Sequence, residues 1–363
     1  MTRLLRWTQG LLRFLLGVVL TQSFPTAWLL SGWGQEVMRR AVLARWAHAT
    51  GAAPPEACAY WPPFVMGDPG GTWRERLLGG AWRNLLRGVN ALAATFIVTG
   101  PGIALMAFSW RYGWDNSFNK GYEQAYIGPT LGLSGTFLFM LAMLYVPLAQ
   151  AQLALDGRRA SFFRWRVIWA ALRCHLRGAI LLAAAYFAAA LPINIFFIAV
   201  LFRFNTDATA DWSDAQVLEA LKGHYLLAGI VGLPLFAWVR LRAARTYADG
   251  IVRALRAGRL RPEAYAGMPA VEALALALGP PLPSRLAATL RRTLLVPTLA
   301  LLLAVWFGFV AQIYIRQFLN YIPLGGWLNQ PLVHAPWLRY IPKGLADANG
   351  ANTVDSAPDL PPY

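Results

Sequence analysis

The sequence predicts an all-α fold: a polytopic integral membrane bundle of five spanning helices, with a kinked N-terminal membrane segment and interfacial amphipathic helices. Three observations predict it. Of 363 residues, 57% are hydrophobic and 14% charged, too apolar for a soluble chain of this length. Five uncharged windows are long enough to cross a hydrocarbon core about 30 Å thick, which takes about 20 helical residues. The basic residues fall between those windows in an alternating pattern that fixes orientation.

The windows run from Gly88 to Trp110, Ile127 to Leu155, Gly178 to Phe202, Gly223 to Val239 and Thr293 to Ile315. The fourth has only 17 residues, so it borrows His224 and Tyr225 at one edge and the aliphatic stem of Arg240 at the other. Loops 36–87, 156–177 and 240–292 hold 23 Lys and Arg, whereas 111–126, 203–222 and everything after Ile315 hold 7. The first group belongs in the cytoplasm, and the C-terminus therefore outside. A formal charge of +16 does not point to nucleic acid, because the basic residues punctuate apolar segments rather than gather on a soluble domain.

Segment 14–35 carries Pro25 at its middle, which divides it into pieces too short to span. A kinked, half-inserted hairpin keeps Arg3, Arg6 and Arg13 cytoplasmic, and with no small-x-small cleavage site after Leu30 it reads as retained. Four regions follow: an N-terminal membrane segment 1–35, a cytoplasmic region 36–87 with interfacial helix and Pro-rich loop, a transmembrane bundle 88–315, and an extracytoplasmic arm 316–363.

Between the spans the loops have their own periodicity. In TWRERLLGGAWRNLLRG, Thr72 and Glu75 stand at capping-box spacing. Trp73, Leu77, Leu78, Trp82 and Leu85 then share one helical face, and Arg76, Arg83 and Arg87 another. SFFRWRVIWAALRCHLR repeats the design, with Phe162, Trp165, Trp169, Leu172 and Leu176 opposite Arg159, Arg166 and Arg173. Such faces predict helices lying on anionic headgroups. The fourth window continues as RLRAARTYADGIVRALRAG until Gly258 and Pro262 stop it, and PAVEALALALG forms a short helix from Pro269.

Candidate chemistry is sparse. Asp, Glu, Lys and Arg are absent from the five windows, which argues against ion-coupled transport. Pro101, Pro192 and Pro234 lie deep enough to kink their helices, TGPG at Thr99–Gly102 most of all. Gln150 and Gln152, two residues apart, point to different faces and predict hydrogen bonds between helices, one of them a bridge. The histidines His48, His175, His224 and His334 show no ligand spacing, so no metal site is expected. His224 alone is a weak candidate for a haem-like macrocycle, and the cofactor is otherwise unknown. Asp207, Asp211, Asp214 and Glu219 lack the EF-hand glycine, and a helix cap at Asp211 or Ser213 accounts for them. Cys58 and Cys174 fall in cytoplasmic loops, where thiols stay reduced.

The stretch YVPLAQAQLALDGRR, Tyr145–Arg159, resembles an uncharacterised family of bacterial polytopic membrane proteins. The resemblance is confined to these 15 residues and carries no active residues.

The arm FLNYIPLGGWLNQPLVHAPWLRYIPKG cannot be a long helix, because its prolines recur too often. Tyr321, Trp327, Trp337 and Tyr340 in it are suited to bind a partner. Together these features predict a non-catalytic integral subunit that assembles or scaffolds an inner-membrane complex, with other integral subunits as partners. A transporter or facilitator of a neutral or apolar solute is the alternative, and a membrane-embedded lipid-modifying enzyme the third.

Overall fold

The computed structural model describes residues 2–53, 72–119, 127–186 and 212–280, with a few single positions beyond them. Every regular element among the described residues is a helix. In chain order these are α1 Thr2–Leu20, α2 Phe24–Thr50, α3 Trp73–Asn119, α4 Ile127–Asp156, α5 Arg159–Phe162 and α6 Trp165–Cys174. Then come α7 Leu176–Tyr186, α8 Asp214–Arg256, α9 Pro262–Tyr265 and α10 Pro269–Leu278. Three of them, α3, α4 and α8, contain stretches long and apolar enough to cross a membrane, or four if α6 and α7, bent by 97° at their junction, count as one span. Most of the third window, the fifth window, Cys58, His334 and the whole arm with Tyr321, Trp327, Trp337 and Tyr340 lie outside the described residues.

The helices are longer than the windows. The amphipathic stretch after Thr72 and the first window form one helix, α3, because nothing between Trp73 and Asn119 forces a break. Even Pro101 is absorbed. It forfeits one backbone bond, but the next residue, Gly102, packs so closely on α4 that a Cβ would stand 2.8 Å from the Gly135 carbonyl oxygen. Likewise α8 runs through Pro234 for 43 residues, about 65 Å at 1.5 Å per residue and twice the hydrocarbon thickness. It begins at Ser213, whose Oγ accepts from Gln216 N at 3.4 Å while the Gln216 side chain accepts from Ser213 N at 2.8 Å. This is one of the two caps expected from the sequence. At the other end Gly258 takes φ 61° and the Arg259 N–H bonds back to the Ala254 carbonyl at 2.9 Å, closing the helix as expected.

At the N-terminus the break falls at Thr21–Ser23, not at Pro25. Proline fits the first turn of a helix, where its missing N–H has no partner to lose, and Pro25 sits there in α2. The resulting hairpin packs on α8. Gln22 Nε2 donates to the Tyr225 carbonyl at 3.4 Å, and Val18 and Leu30 pack with Leu233 and Phe236. Further on, Gly34 abuts the Phe236 ring, Met38 meets Arg240 and Trp46 Nε1 donates to the Ala248 carbonyl at 3.2 Å, the last two at one sequence separation of 202. A constant separation means that α2 and α8 run side by side in the same direction.

The main core joins α2 to α7, the second half of α8 and α10, with Met38, Phe139, Phe162, Ile168, Tyr247 and Ile251 almost fully buried. Region boundaries expected at 35/36 and 87/88 fall inside α2 and α3.

Candidate functional site: polar contacts within the bundle

Arg240 is the largest fully buried side chain, 1% exposed. Its Nη1 donates to Gln150 Oε1, its guanidinium lies 5.1 Å from the centre of the Phe236 ring, and Met38 Sδ stands 3.8 Å from Nη1. The amide of Gln150 uses its other end as well: Nε2 donates to Thr95 Oγ1 at 2.8 Å. Thr95 in turn donates to the Ala91 carbonyl at 2.7 Å. One chain of contacts thus ties α2, α3, α4 and α8 together, and Tyr186 of α7 lies in electrostatic range of the guanidinium. The ring face and the amide oxygen both favour the cation.

Gln152, on another face of α4, makes a second tie. Its Nε2 donates to the Ser161 carbonyl at 2.7 Å, and its Oε1 accepts from Tyr247 at 3.4 Å. Close by, the Tyr145 hydroxyl donates to the Phe162 carbonyl and Trp165 stacks on Tyr145 with ring centres 4.0 Å apart. The two glutamines therefore do take different partners, and both bridge helices.

Glu36 is the third tie. It bonds Arg39 at 2.8 Å, Arg40 at 2.9 Å and Arg87 of α3 at 3.2 Å. Burial by itself would push its carboxyl up; the hydrogen bonds from Arg39 and Arg40, with the charges of Arg39 and Arg87, more than offset this and hold it below the usual 4.5. Further along α3, Asn90 accepts from Arg159 at 2.6 Å, joining α3 to α5.

Of the residues expected at the membrane surface, Trp73 and Trp82 are 67% and 61% exposed, and Trp165 and Trp169 50% and 46%. Arg83, Arg166 and Arg173 are exposed, the last with its guanidinium 5.4 Å from the Trp169 ring centre; the side chain of Arg76 lies outside the described residues. Two expectations need correction. Arg87 turns inward to Glu36 instead of sharing the outer face of Arg83, because a buried carboxylate within reach outbids water. The 160–177 stripe is not one helical seam: Phe162 belongs to α5 and is fully buried, and α6 buries Val167, Ile168, Ala171 and Leu172 against the bundle, so the tryptophans face out while Leu172 faces in. The inner face is close-packed, since a Cβ on Gly250 of α8 would stand 2.9 Å from the Ala171 carbonyl oxygen.

His224 is buried within α8, eleven residues past the Ser213 cap. Among the described residues no three His, Cys, Asp or Glu side chains gather as a metal site would require. Three further polar side chains, Ser31, Gln35 and Tyr186, are buried and make no hydrogen bond to any described residue. Ser31 and Gln35 lie on the α2 wheel between Gly32, which abuts the Asn84 backbone of α3, and Gly34, which abuts Phe236 of α8.

Two of the central residues escaped the sequence reading. Arg240 was expected at a helix edge, and the signal was the shortness of its window: a helix one or two residues too short draws the next residue inside. Glu36 was not singled out at all, though Arg39 and Arg40 at i+3 and i+4 mark it.

The fold and these contacts define a class: an all-helical chain with three or four helices fit to cross a membrane, tied internally by polar side chains. No family model, no curated protein and no solved structure matches the chain.

Proposed function

We propose that this chain is a non-catalytic integral subunit that assembles or scaffolds a larger complex in the bacterial inner membrane. One observation carries the reading: polar side chains inside the bundle are engaged across helices, Arg240, Gln150 and Thr95 with one another and Gln152 with Ser161 and Tyr247. Polar groups joined in this way fix helices relative to each other and build a rigid frame. Meanwhile Leu11, Leu15, Ile97, Phe137, Leu141, Leu227 and Ile230 present large apolar side chains outward, a surface suited to acyl chains or neighbouring helices.

In this reading the five windows span, with the C-terminus outside, and α2, running beside α8 in the same direction, crosses with it, so that the α1–α2 turn reaches the depth of Tyr225 at the outer end of the fourth window. Trp73, Trp82, Trp165 and Trp169 with their arginines sit among anionic headgroups, and Tyr321, Trp327, Trp337 and Tyr340 clasp a partner subunit. Purification from native membranes in mild detergent tests it. Stoichiometric integral companions are the expected result; a lone monomer or homodimer would overturn it.

The second reading, a facilitator for a small neutral solute, draws on Ser31, Gln35 and Tyr186, whose unspent hydrogen-bonding capacity suits water or a polar guest. Solute-dependent swelling of proteoliposomes, lost in Gln35→Leu, would move it into first place.

A further inference from the structure

The second half of α8 carries a feature that the polar contacts do not use. Arg242, Arg245, Asp249, Arg253 and Arg256 follow one another in steps of three and four residues, so they form one stripe along a single face. All four arginines are exposed, Arg256 also donating from Nη2 to the Ala49 carbonyl of α2 at 3.4 Å, while Ala243, Ala244, Tyr247, Ala248, Ile251 and Ala254 on the opposite face are buried. The one carboxylate in the stripe is engaged: Asp249 accepts from Arg45 Nε of α2 at 2.7 Å, and this pair adds Arg45 to the same surface. The stripe is about 21 Å long.

We propose that this arginine stripe is the docking surface for an acidic helix of a partner subunit. The inference rests on the complex-subunit reading above and supplies the chemistry of one partner. Two arguments select a protein helix over anionic lipid. Arg253 and Arg256 lie 14 and 17 residues beyond Val239, about 21–26 Å along the helix, whereas the headgroup zone is some 5–8 Å deep on each side and charge is screened beyond about 8 Å. Lipid serves the near end of the stripe only. The repeat of three and four residues, moreover, matches the spacing at which glutamates recur on one face of a helix, so each arginine meets a carboxylate in register.

The test uses the full chain in nanodiscs and three labelled probes. The first is a 20-residue helical peptide with glutamates in steps of three and four; the second is the same composition scrambled; the third is a vesicle rich in phosphatidylglycerol. The matched peptide should bind at least tenfold more tightly than the scrambled one, and the triple variant Arg245→Gln, Arg253→Gln, Arg256→Gln should lose that preference. Its unchanged elution volume and melting temperature would show that it folds. Equal binding of both peptides, or a variant weakened only toward vesicles, overturns the proposal. Companions co-purifying with the parent chain while the peptides bind alike would sink this inference and leave the complex-subunit reading standing. Selective peptide binding by a chain purified without companions would do the reverse.

Discussion

Gln150 is the residue on which most of the interior depends. Replacing it by alanine strips the buried Arg240 guanidinium of its amide acceptor and Thr95 of its donor, and a buried group left unsatisfied costs about 3 kcal/mol when charge is involved. The apparent melting temperature in detergent should fall by on the order of 10 °C. Gln150→Glu, which keeps an acceptor for the guanidinium, should recover most of that loss, and Thr95→Val should cost only about 1 kcal/mol. Equal melting temperatures for Gln150→Ala and the parent would remove Arg240 from this role. Glu36 makes a pH-dependent contribution. Its folded carboxyl sits below 4.5, so its stabilisation is fully present above that value and is lost as pH falls through the folded one. The stability gap between the parent and Glu36→Gln should hold constant from neutral pH down to about pH 5 and close only below it. A gap that widened on acidification would contradict the triple-arginine geometry.

Among the elements, the crossing of α2 and α3 is set by backbone contact. Gly32 meets the Asn84 carbonyl and Gly88 the Trp28 carbonyl so closely that neither has room for a Cβ. Small residues at such crossings are how helices associate where lipid removes the hydrophobic drive between them. Gly32→Val or Gly88→Val should therefore sharply lower the yield of folded protein, because backbone cannot move aside as a side chain can; Gly79→Val, on an open stretch of α3, is the control and should accumulate normally. For α6, the right-angled turn from α7 leaves Trp165 and Trp169 outward beside Arg166 and Arg173. In vesicles containing brominated lipid these two tryptophans should be quenched, and the double variant Trp165→Phe, Trp169→Phe should lose a corresponding share of the total quench. Full emission from both would place α6 against solvent or protein.

At the level of the whole molecule, the side-by-side course of α2 and α8 constrains topology. If α8 crosses from outside to inside, α2 does too, and the turn at Thr21–Ser23 lies at the outer face beside Tyr225. A cysteine at Ser23 should then react with an impermeant maleimide from the same side as one at Lys222, in a chain whose Cys58 and Cys174 are replaced by serine. Protection of Ser23 with labelling of Lys222 would restore the half-inserted hairpin. For the arm from Phe318 onward, deletion of 318–363 should leave the bundle inserted, since helices in lipid satisfy their backbone hydrogen bonds internally, while co-purification of companions collapses. Retention of every companion by the truncated chain would leave the arm without a binding role.

The all-helical class was legible in the sequence because hydropathy and helical period are local properties. The same holds for the Ser213 cap, the stop at Gly258 and the short helix at Pro269, each of which needs only a few neighbouring residues. What depends on residues far apart in the chain was not legible. Whether Arg240 reaches headgroups or turns inward was decided by Gln150 and Phe236, and whether Arg87 faces lipid or protein by Glu36, 51 residues away. The α6 stripe reads as one seam in sequence, yet packing on Gly250 drew Leu172 inward and left Trp165 and Trp169 outside. Continuous helices across 35/36 and 87/88 belong to the same lesson. Helix propensity does not change at a membrane boundary, so charge marks where the solvent changes but not where a helix ends. The tertiary structure decided which polar groups pair, because a buried donor or acceptor takes whichever partner the fold brings within about 3 Å.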